Sequence, residues 1–196
     1  MNDVDIWSRF RMGDNDALSL IYSENSKKLY LFGSKLTPNH TIIEDSIQDL
    51  FSDLVRNRRK LGDTDNINFY LLKSFKRKLL RQLQKEKRYE LNDKHENFVF
   101  DITYSIENEI INKDSTTTRL HQLHKALNEL SPRQKEAIYL RFTEELEYAE
   151  IAEILEMSIE ACRNLIYRAI KSLKESIQGN FSVILVYLQT ILKKNI

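Results

Sequence analysis

The sequence predicts an all-α protein of two small helical domains joined by an acidic linker, the C-terminal domain being a helix-turn-helix. Three observations predict it. Apolar residues recur at steps of three and four through most of the chain, the period of a helix buried along one side. Four Gly and two Pro in 196 residues are few, which favours long helices and disfavours an all-β architecture. Between the periodic halves, Asp93 to Asp114 holds six acidic residues against two basic, and its apolar residues keep no period. The expected divisions are 1–90 for the first domain, 91–118 for the linker, 119–178 for the second domain and 179–196 for an apolar tail.

Composition narrows the function classes. Hydrophobic residues at 41% and charged residues at 30% suit a soluble globular chain and not a disordered one. One Cys excludes an internal disulfide, and four scattered His form no metal-ligand pattern, so neither a metal nor any other cofactor is expected. Met1 to Arg11 holds no apolar run of the signal-peptide kind, and a cytoplasmic protein is expected.

The first domain is expected to begin with a short amphipathic segment, Asp3 to Met12, carrying Val4, Trp7 and Phe10 at helical spacing. Gly13 breaks it, and Asp14 caps a second helix to about Leu36, with Leu18, Ile21, Leu29, Phe32 and Leu36 inward. Thr37-Pro38-Asn39-His40 is a turn signal. A third helix runs from about Thr41 to Asn57, with Ile43, Ile47, Leu50, Phe51 and Leu54 inward and Glu44, Asp45, Gln48, Asp49 and Asp53 outward. On composition alone that acidic face is an ordinary solvated one.

Arg56 to Asp65 reads as a polar loop, and Ile67 to about Arg88 as a long helix with Leu72, Phe75, Leu79 and Leu83 as its apolar stripe. Lys73, Arg77, Arg81, Lys85 and Arg88 follow one another at steps of four, four, four and three. From Arg56 to Arg88 there are twelve Lys/Arg against three Asp/Glu, an excess of nine positive charges in a chain whose net charge is +1. Such a stripe neutralises phosphates, and each counterion it releases makes binding more salt-sensitive. Phe69 and Tyr70 beside it are candidates to stack on unpaired bases, each worth about 1–3 kcal/mol where it does so; Phe75 belongs to the apolar stripe.

The second domain starts with Leu120, Leu123, Leu127 and Leu130. Ser131-Pro132-Arg133-Gln134 is a capping box: the Ser hydroxyl accepts from a first-turn amide, Pro suits the first helical position and Gln reaches back. Ala137, Ile138 and Phe142 give that helix an apolar side. Tyr148, Ile151, Ala152 and Leu155 mark a short helix, Glu156-Met157-Ser158 a turn, and Ser158 the cap of a longer helix with Ile159, Cys162, Ile166, Ala169 and Leu173 inside. Arg163, Asn164, Tyr167, Arg168, Lys171 and Lys174 lie between them. Two helices around a three-residue turn, the second apolar inside and basic outside, form the pattern of a DNA-binding helix-turn-helix; a plain helical hairpin would show the same apolar spacing. The turn has Glu156 where a Gly is common. The mostly apolar stretch Phe181 to Leu192, twelve residues long, is short of the about 20 residues that span a bilayer, leaving packing on the second domain or docking on a partner.

The order of these pieces resembles a bacterial RNA polymerase sigma factor of the sigma-70 family, extracytoplasmic-function (ECF) group, over nearly the whole chain. Gly13-Asp14 with Ala17-Leu18 and Leu29-Tyr30 resemble the start of that family's domain two. Glu44-Asp45-Ser46-Ile47-Gln48-Asp49-Leu50-Phe51 is similar to its acidic polymerase-binding motif, and Leu71-Leu72 through Leu79-Leu80-Arg81 to its helix for the minus-ten element. Leu130-Ser131-Pro132-Arg133-Gln134, Glu150-Ile151-Ala152 and Arg168-Ala169 with Leu173 resemble domain four. Two positions depart from the pattern: Val55 stands where a Trp is common, and Glu147 where a Ser or Thr cap is usual.

The resemblance implies a dissociable subunit that directs polymerase to promoters, performs no covalent chemistry and takes no small-molecule substrate. Asp45, Gln48 and Asp49 would dock on the β′ clamp helices of core polymerase, whose β subunit is a further partner, with Phe51 behind them. The loop from Arg59 to Asn66 would capture a base flipped from the non-template strand, Asp63 and Asn66 supplying hydrogen bonds, while Lys73, Arg77 and Arg81 hold that strand's backbone. The helix from Ser158 would enter the major groove of the minus-thirty-five element, with Arg163 first for a base contact and Glu160, Asn164 and Tyr167 beside it. Arg168 and Lys171 would hold phosphate. A membrane-associated anti-sigma factor is an implied partner.

Two other function classes fit these residues less well. A free-standing helix-turn-helix regulator has no need of the acidic-then-basic order from Glu44 to Arg88. An enzyme with Asp45 and Asp49 as metal ligands has no complementary His/Asp cluster elsewhere in the sequence.

Overall fold

Asn2 caps the first helix, its side-chain oxygen accepting from the Asp5 amide at 2.9 Å. The structure, a computed structural model, describes residues 2–89, 100 and 125–177, and all the regular elements among them are helical. The chain divides into two compact units, Met1–Phe98 and Val99–Ile196, and the division falls within the segment expected to link two domains. Most of that segment, and the apolar tail from 179, lie outside the described residues.

The first unit is four helices and one 3₁₀ turn: α1 (Asp3–Met12), α2 (Asn15–Ser34), α3 (His40–Asn57), the turn Arg58–Lys60, and α4 (Ile67–Tyr89). Gly13 ends α1 at φ 101°, a left-handed conformation that favours glycine, and its amide closes the helix onto Phe10. Asp14 then caps α2, accepting from the Asp16 amide at 2.8 Å and the Ala17 amide at 3.2 Å. Arg9 pairs with the same carboxylate at 2.7 Å, which holds Asp14 below the usual carboxylate range. Asn39 caps α3 through the Ile42 amide at 3.3 Å.

Trp7, Phe10, Phe32, Phe75, Leu71, Leu72 and Leu79 fill the core that these helices surround. Gly33 makes the packing of α2 possible, since a Cβ there would sit 2.9 Å from Ile43 Cγ2 and 3.0 Å from Phe75 Cζ. At α1 the expected inward set shifts: Ile6 is buried with Trp7 and Phe10, while Val4, half a turn away, faces solvent. Leu18 is half-buried. The expected polar loop also starts later, because Arg56 and Asn57 finish α3 and 58–60 continue as the 3₁₀ turn.

The second unit contains residues 125–129 in helical conformation, then α5 (Pro132–Phe142), α6 (Tyr148–Ile154) and α7 (Ile159–Ile177). The capping box at Ser131 is formed: Gln134 donates its amide to the Ser131 hydroxyl, and its side chain accepts from the Ser131 amide at 3.0 Å. Leu127, Leu130, Ala137, Ile138, Leu140, Ile151, Cys162, Ile166, Ala169 and Leu173 make the core. Phe142 is only half-buried, and Tyr139 and Leu140 take the inward places of α5 instead. Ile159, in the first turn of α7 before the helix meets its neighbours, is 45% exposed rather than inside.

Candidate docking face and nucleic-acid surfaces

α3 buries Ile43, Ile47, Leu50, Phe51 and Leu54, so the 3.6-residue period turns Glu44, Asp45, Gln48 and Asp49 outward together. All four are exposed. Phe51 is buried behind them, against Tyr22 of α2 with ring centroids 4.8 Å apart. The face is tied to α4. The Gln82 amide donates to Asp49 at 3.1 Å, and its carbonyl oxygen accepts from the Ser46 hydroxyl. One turn on, the Lys78 ammonium hydrogen-bonds Asp53 and holds that carboxyl below its usual range, with Arg56 3.3 Å away on the other side.

α4 buries Leu71, Leu72, Phe75, Leu79 and Leu83, which sends Lys73, Arg77 and Arg81 along a separate row. Arg77 and Arg81 are exposed; Lys73 is half-buried, its ammonium 5.7 Å from the Phe69 ring centroid. Phe69 is thereby placed beside the cationic row. Tyr70 is turned the other way, its ring centroid 4.9 Å from that of Trp7. Of the two aromatic candidates Phe69 is the one that flanks the stripe.

The segment between the 3₁₀ turn and α4 is held by α1 at three points. Trp7 Nε1 donates to the Gly62 carbonyl at 2.8 Å, Arg11 pairs with Asp63, and the Asp3 carboxylate accepts from the Ile67 amide at 2.7 Å. Asn66 is the N-terminal cap of α4, its side-chain oxygen accepting from the Phe69 amide at 3.0 Å. Asp63 stays highly exposed despite Arg11. The two residues thus differ: Asp63 offers a carboxylate at the surface, whereas one of the Asn66 side-chain groups is already engaged by the helix it starts. This bracing was not legible beforehand, because Trp7 reads as core from its spacing with Phe10 and nothing in Gly62 announces an acceptor.

In the second unit, α6 and α7 enclose the turn expected there. Glu156 adopts φ 52°, and the Met157 amide closes back on the Ala152 carbonyl at 3.0 Å, a helix-ending motif usually served by Gly. Ser158 caps α7 through the Ala161 amide at 3.1 Å. At α6, where the usual Ser or Thr is missing, Glu150 reaches back to the helix start, its carboxylate accepting from the Glu147 amide at 2.7 Å. Cys162, Ile166, Ala169 and Leu173 face inward, and burial pushes the Cys162 thiol up, away from reactivity. Glu160, Arg163, Asn164, Tyr167, Arg168 and Lys171 are left exposed on α7, Tyr167 by 67%. Lys171 has Glu175 3.8 Å away, a weak surface pair.

Two residues missed in the sequence gather here. The Tyr148 ring has the Arg141 guanidinium 4.9 Å and the Arg163 guanidinium 5.8 Å from its centroid. Arg141 is fixed in turn by the Leu146 carbonyl at 2.7 Å and the Glu147 carboxylate at 3.2 Å. Among the described residues no group of three or more His, Cys, Asp or Glu is arranged to hold a metal ion, and no helix is long and apolar enough to cross a membrane.

Comparison with known proteins identifies the second unit. Residues 120–173 match the family model of sigma-70, region 4, a span that contains α5, α6 and nearly all of α7. No curated protein matches the chain significantly. Among solved structures, the sigma factor RpoE of Bartonella quintana, in complex with the anti-sigma factor NepR, is 23% identical with a TM-score of 0.55, over 85% of this chain and 97% of that one. CnrH in complex with the cytosolic domain of CnrY is 18% identical, also at a TM-score of 0.55, over 88% of this chain and 95% of that one. These two likenesses are of fold, and the region 4 match is of sequence. Residues 120–173 thus match a sigma-70 region 4 in sequence, and the chain is similar in fold to these two solved structures, one of them a sigma factor.

Proposed function

We propose that the chain is a dissociable sigma subunit of RNA polymerase, of the ECF type, which directs the enzyme to promoters and helps to open them. The observation that carries this reading is the region 4 match laid on a helix-turn-helix whose second helix presents Arg163, Asn164 and Tyr167 to solvent. α7 reads the minus-thirty-five element from the major groove: Arg163 donates to a guanine edge, Glu160, Asn164 and Tyr167 adjoin it, and Arg168 and Lys171 hold phosphate.

The first unit supplies the other half. Asp45, Gln48 and Asp49 form a compact polar face on α3 that suits a basic partner surface, and we assign it to the β′ clamp helices. Arg77, Arg81 and Lys73 follow the backbone of the opened strand, Phe69 stacks on an unpaired base, and Asp63 in the braced segment hydrogen-bonds a flipped one. Neither half needs to bind tightly alone, because polymerase holds both at once and makes the second contact intramolecular. The work is done where polymerase and chromosome are, with no covalent step. That the two solved likenesses are complexes, one of them with an anti-sigma factor, supports an anti-sigma partner that masks the acidic face or α7; its membrane association is part of the proposal.

The test is binding to core polymerase in a pull-down. The chain is retained, and Asp45→Ala with Gln48→Ala weakens retention by about tenfold or more, as removal of two central interface residues does. Retention unchanged by the double substitution removes the docking assignment, and no retention of the unsubstituted chain removes the sigma reading.

A further inference from the structure

The Tyr148 ring is shared by two guanidiniums that come from different helices. Arg141, in the last turn of α5, is locked: it lies 4.9 Å from the ring centroid and donates to the Leu146 carbonyl and the Glu147 carboxylate. Tyr148 is the first residue of α6, directly after that carboxylate, and its ring is half-buried. Arg163 reaches the ring from α7 at 5.8 Å, within the about 6 Å over which an aromatic face attracts a cation. The rest of Arg163 is exposed. A long exposed arginine normally samples many rotamers, and ordering it on a base edge costs that freedom at the moment of binding. Here the ring, itself pinned by Arg141, already restricts the guanidinium on the DNA side of the helix.

We propose that Tyr148 is a positioning residue for promoter recognition: it holds the Arg163 guanidinium in the orientation that reads its base, without touching DNA itself. The proposal rests on the assignment of α7 as the recognition helix. It requires an aromatic face at position 148, so Phe can replace Tyr and an aliphatic residue of similar bulk cannot.

Two measurements test it. In nitrogen-15 spectra of the free protein, the Arg163 Nε–Hε signal, identified by its loss in Arg163→Lys, is expected upfield of that of Arg168 through the ring current of Tyr148. Tyr148→Phe keeps that displacement and Tyr148→Leu removes it, with circular dichroism confirming that both remain folded. An Arg163 signal that coincides with that of Arg168 in the unsubstituted protein overturns the proposal without any variant. In run-off transcription with reconstituted holoenzyme, the ratio of product from a promoter with the correct minus-thirty-five guanine to product from one with it changed is compared. Tyr148→Leu lowers this ratio about threefold, the size of one exposed cation–aromatic contact, and Tyr148→Phe preserves it. In the Arg163→Ala background, Tyr148→Leu produces no further loss, because there is no guanidinium left to position. An equal loss in Phe and Leu variants, or a full further loss in the Arg163→Ala background, assigns Tyr148 a merely structural part and overturns the proposal. A displaced Arg163 signal with a ratio that Arg163→Ala does not change leaves the clamp in place and refutes the base-reading assignment instead.

Discussion

The side-chain amide of Gln82 donates to the carboxylate of Asp49 at 3.1 Å, so the acidic face of α3 is oriented in part by the helix that carries the basic row. The Gln82 carbonyl oxygen simultaneously satisfies Ser46, which is fully buried. Replacing Gln82 by Leu leaves a buried hydroxyl without that partner, which costs about 1–3 kcal/mol. The only Trp in the chain, Trp7, is buried in this unit, so its fluorescence follows the unfolding of this unit in particular. Gln82→Leu should lower the urea midpoint seen by Trp7 and weaken polymerase retention severalfold. An unchanged midpoint and unchanged retention would show that the seam between α3 and α4 carries neither stability nor orientation.

The row on α4 should announce itself through salt. Arg77 and Arg81 are exposed at a spacing of four residues, one on each successive turn. Each phosphate contact contributes about 0.7 to the slope of log affinity against log salt on single strands and about 0.9 on duplex. Arg77→Ala and Arg81→Ala should each reduce the slope of holoenzyme–promoter binding by about that amount, with little effect on which promoter is chosen. A slope indifferent to both returns the row to an ordinary solvated surface.

Acid should act on the first unit through Asp53. The Lys78 ammonium holds the folded Asp53 carboxyl below its ordinary range. A depressed carboxyl stabilises the fold fully above its unfolded pKa, about 3.9, and the contribution disappears as pH falls through the lower folded value. Because Asp53 is partly exposed, solvent screening keeps the effect small. The difference in urea midpoint between the unsubstituted protein and Asp53→Asn should therefore be present near neutral pH and vanish in strong acid. A difference that persists undiminished in acid would mean that charge has no part in it.

The turn between α6 and α7 carries a local conflict that one substitution relieves. Glu156 at φ 52° sits where a side chain costs about 1 kcal/mol and glycine nothing. Glu156→Gly should raise the stability of the second unit by up to about 1 kcal/mol, offset in part by the greater freedom of glycine in the unfolded chain. The gain should appear in the melting followed by circular dichroism and not in that followed by Trp7. A loss of stability would show that the Glu156 side chain contributes more than its backbone strain costs.

What could be read in the sequence was local or periodic. The capping box at Ser131, the caps at Asp14 and Ser158, and the inward rows of α3 and α4 all rest on neighbours within four residues, where composition alone determines geometry. The left-handed turn at Glu156 was legible as a missing Gly. The misses sit at helix ends and between elements. Val4 and Ile159 keep an apolar period yet lie in first turns that no neighbouring helix covers. Tyr70 is adjacent to the basic row in sequence but packs on Trp7, a contact across 63 positions that no period encodes. The Tyr148 clamp joins Arg141, seven residues before it, to Arg163, fifteen after it, and emerges only when three helices meet. Gln82 reads as a polar filler in α4 until α3 is laid against it.

This chain is expected to make core polymerase promoter-selective. Run-off transcription from a promoter chosen among the transcripts that rise when the protein is overproduced tests this most directly. Core polymerase alone should give no discrete product, and adding the chain should give one product with a single start site, lost with Asp45→Ala and Gln48→Ala together. A chain that binds the promoter duplex tightly without polymerase, and yields no product with it, would contradict the account and mark the protein as a free-standing DNA-binding regulator.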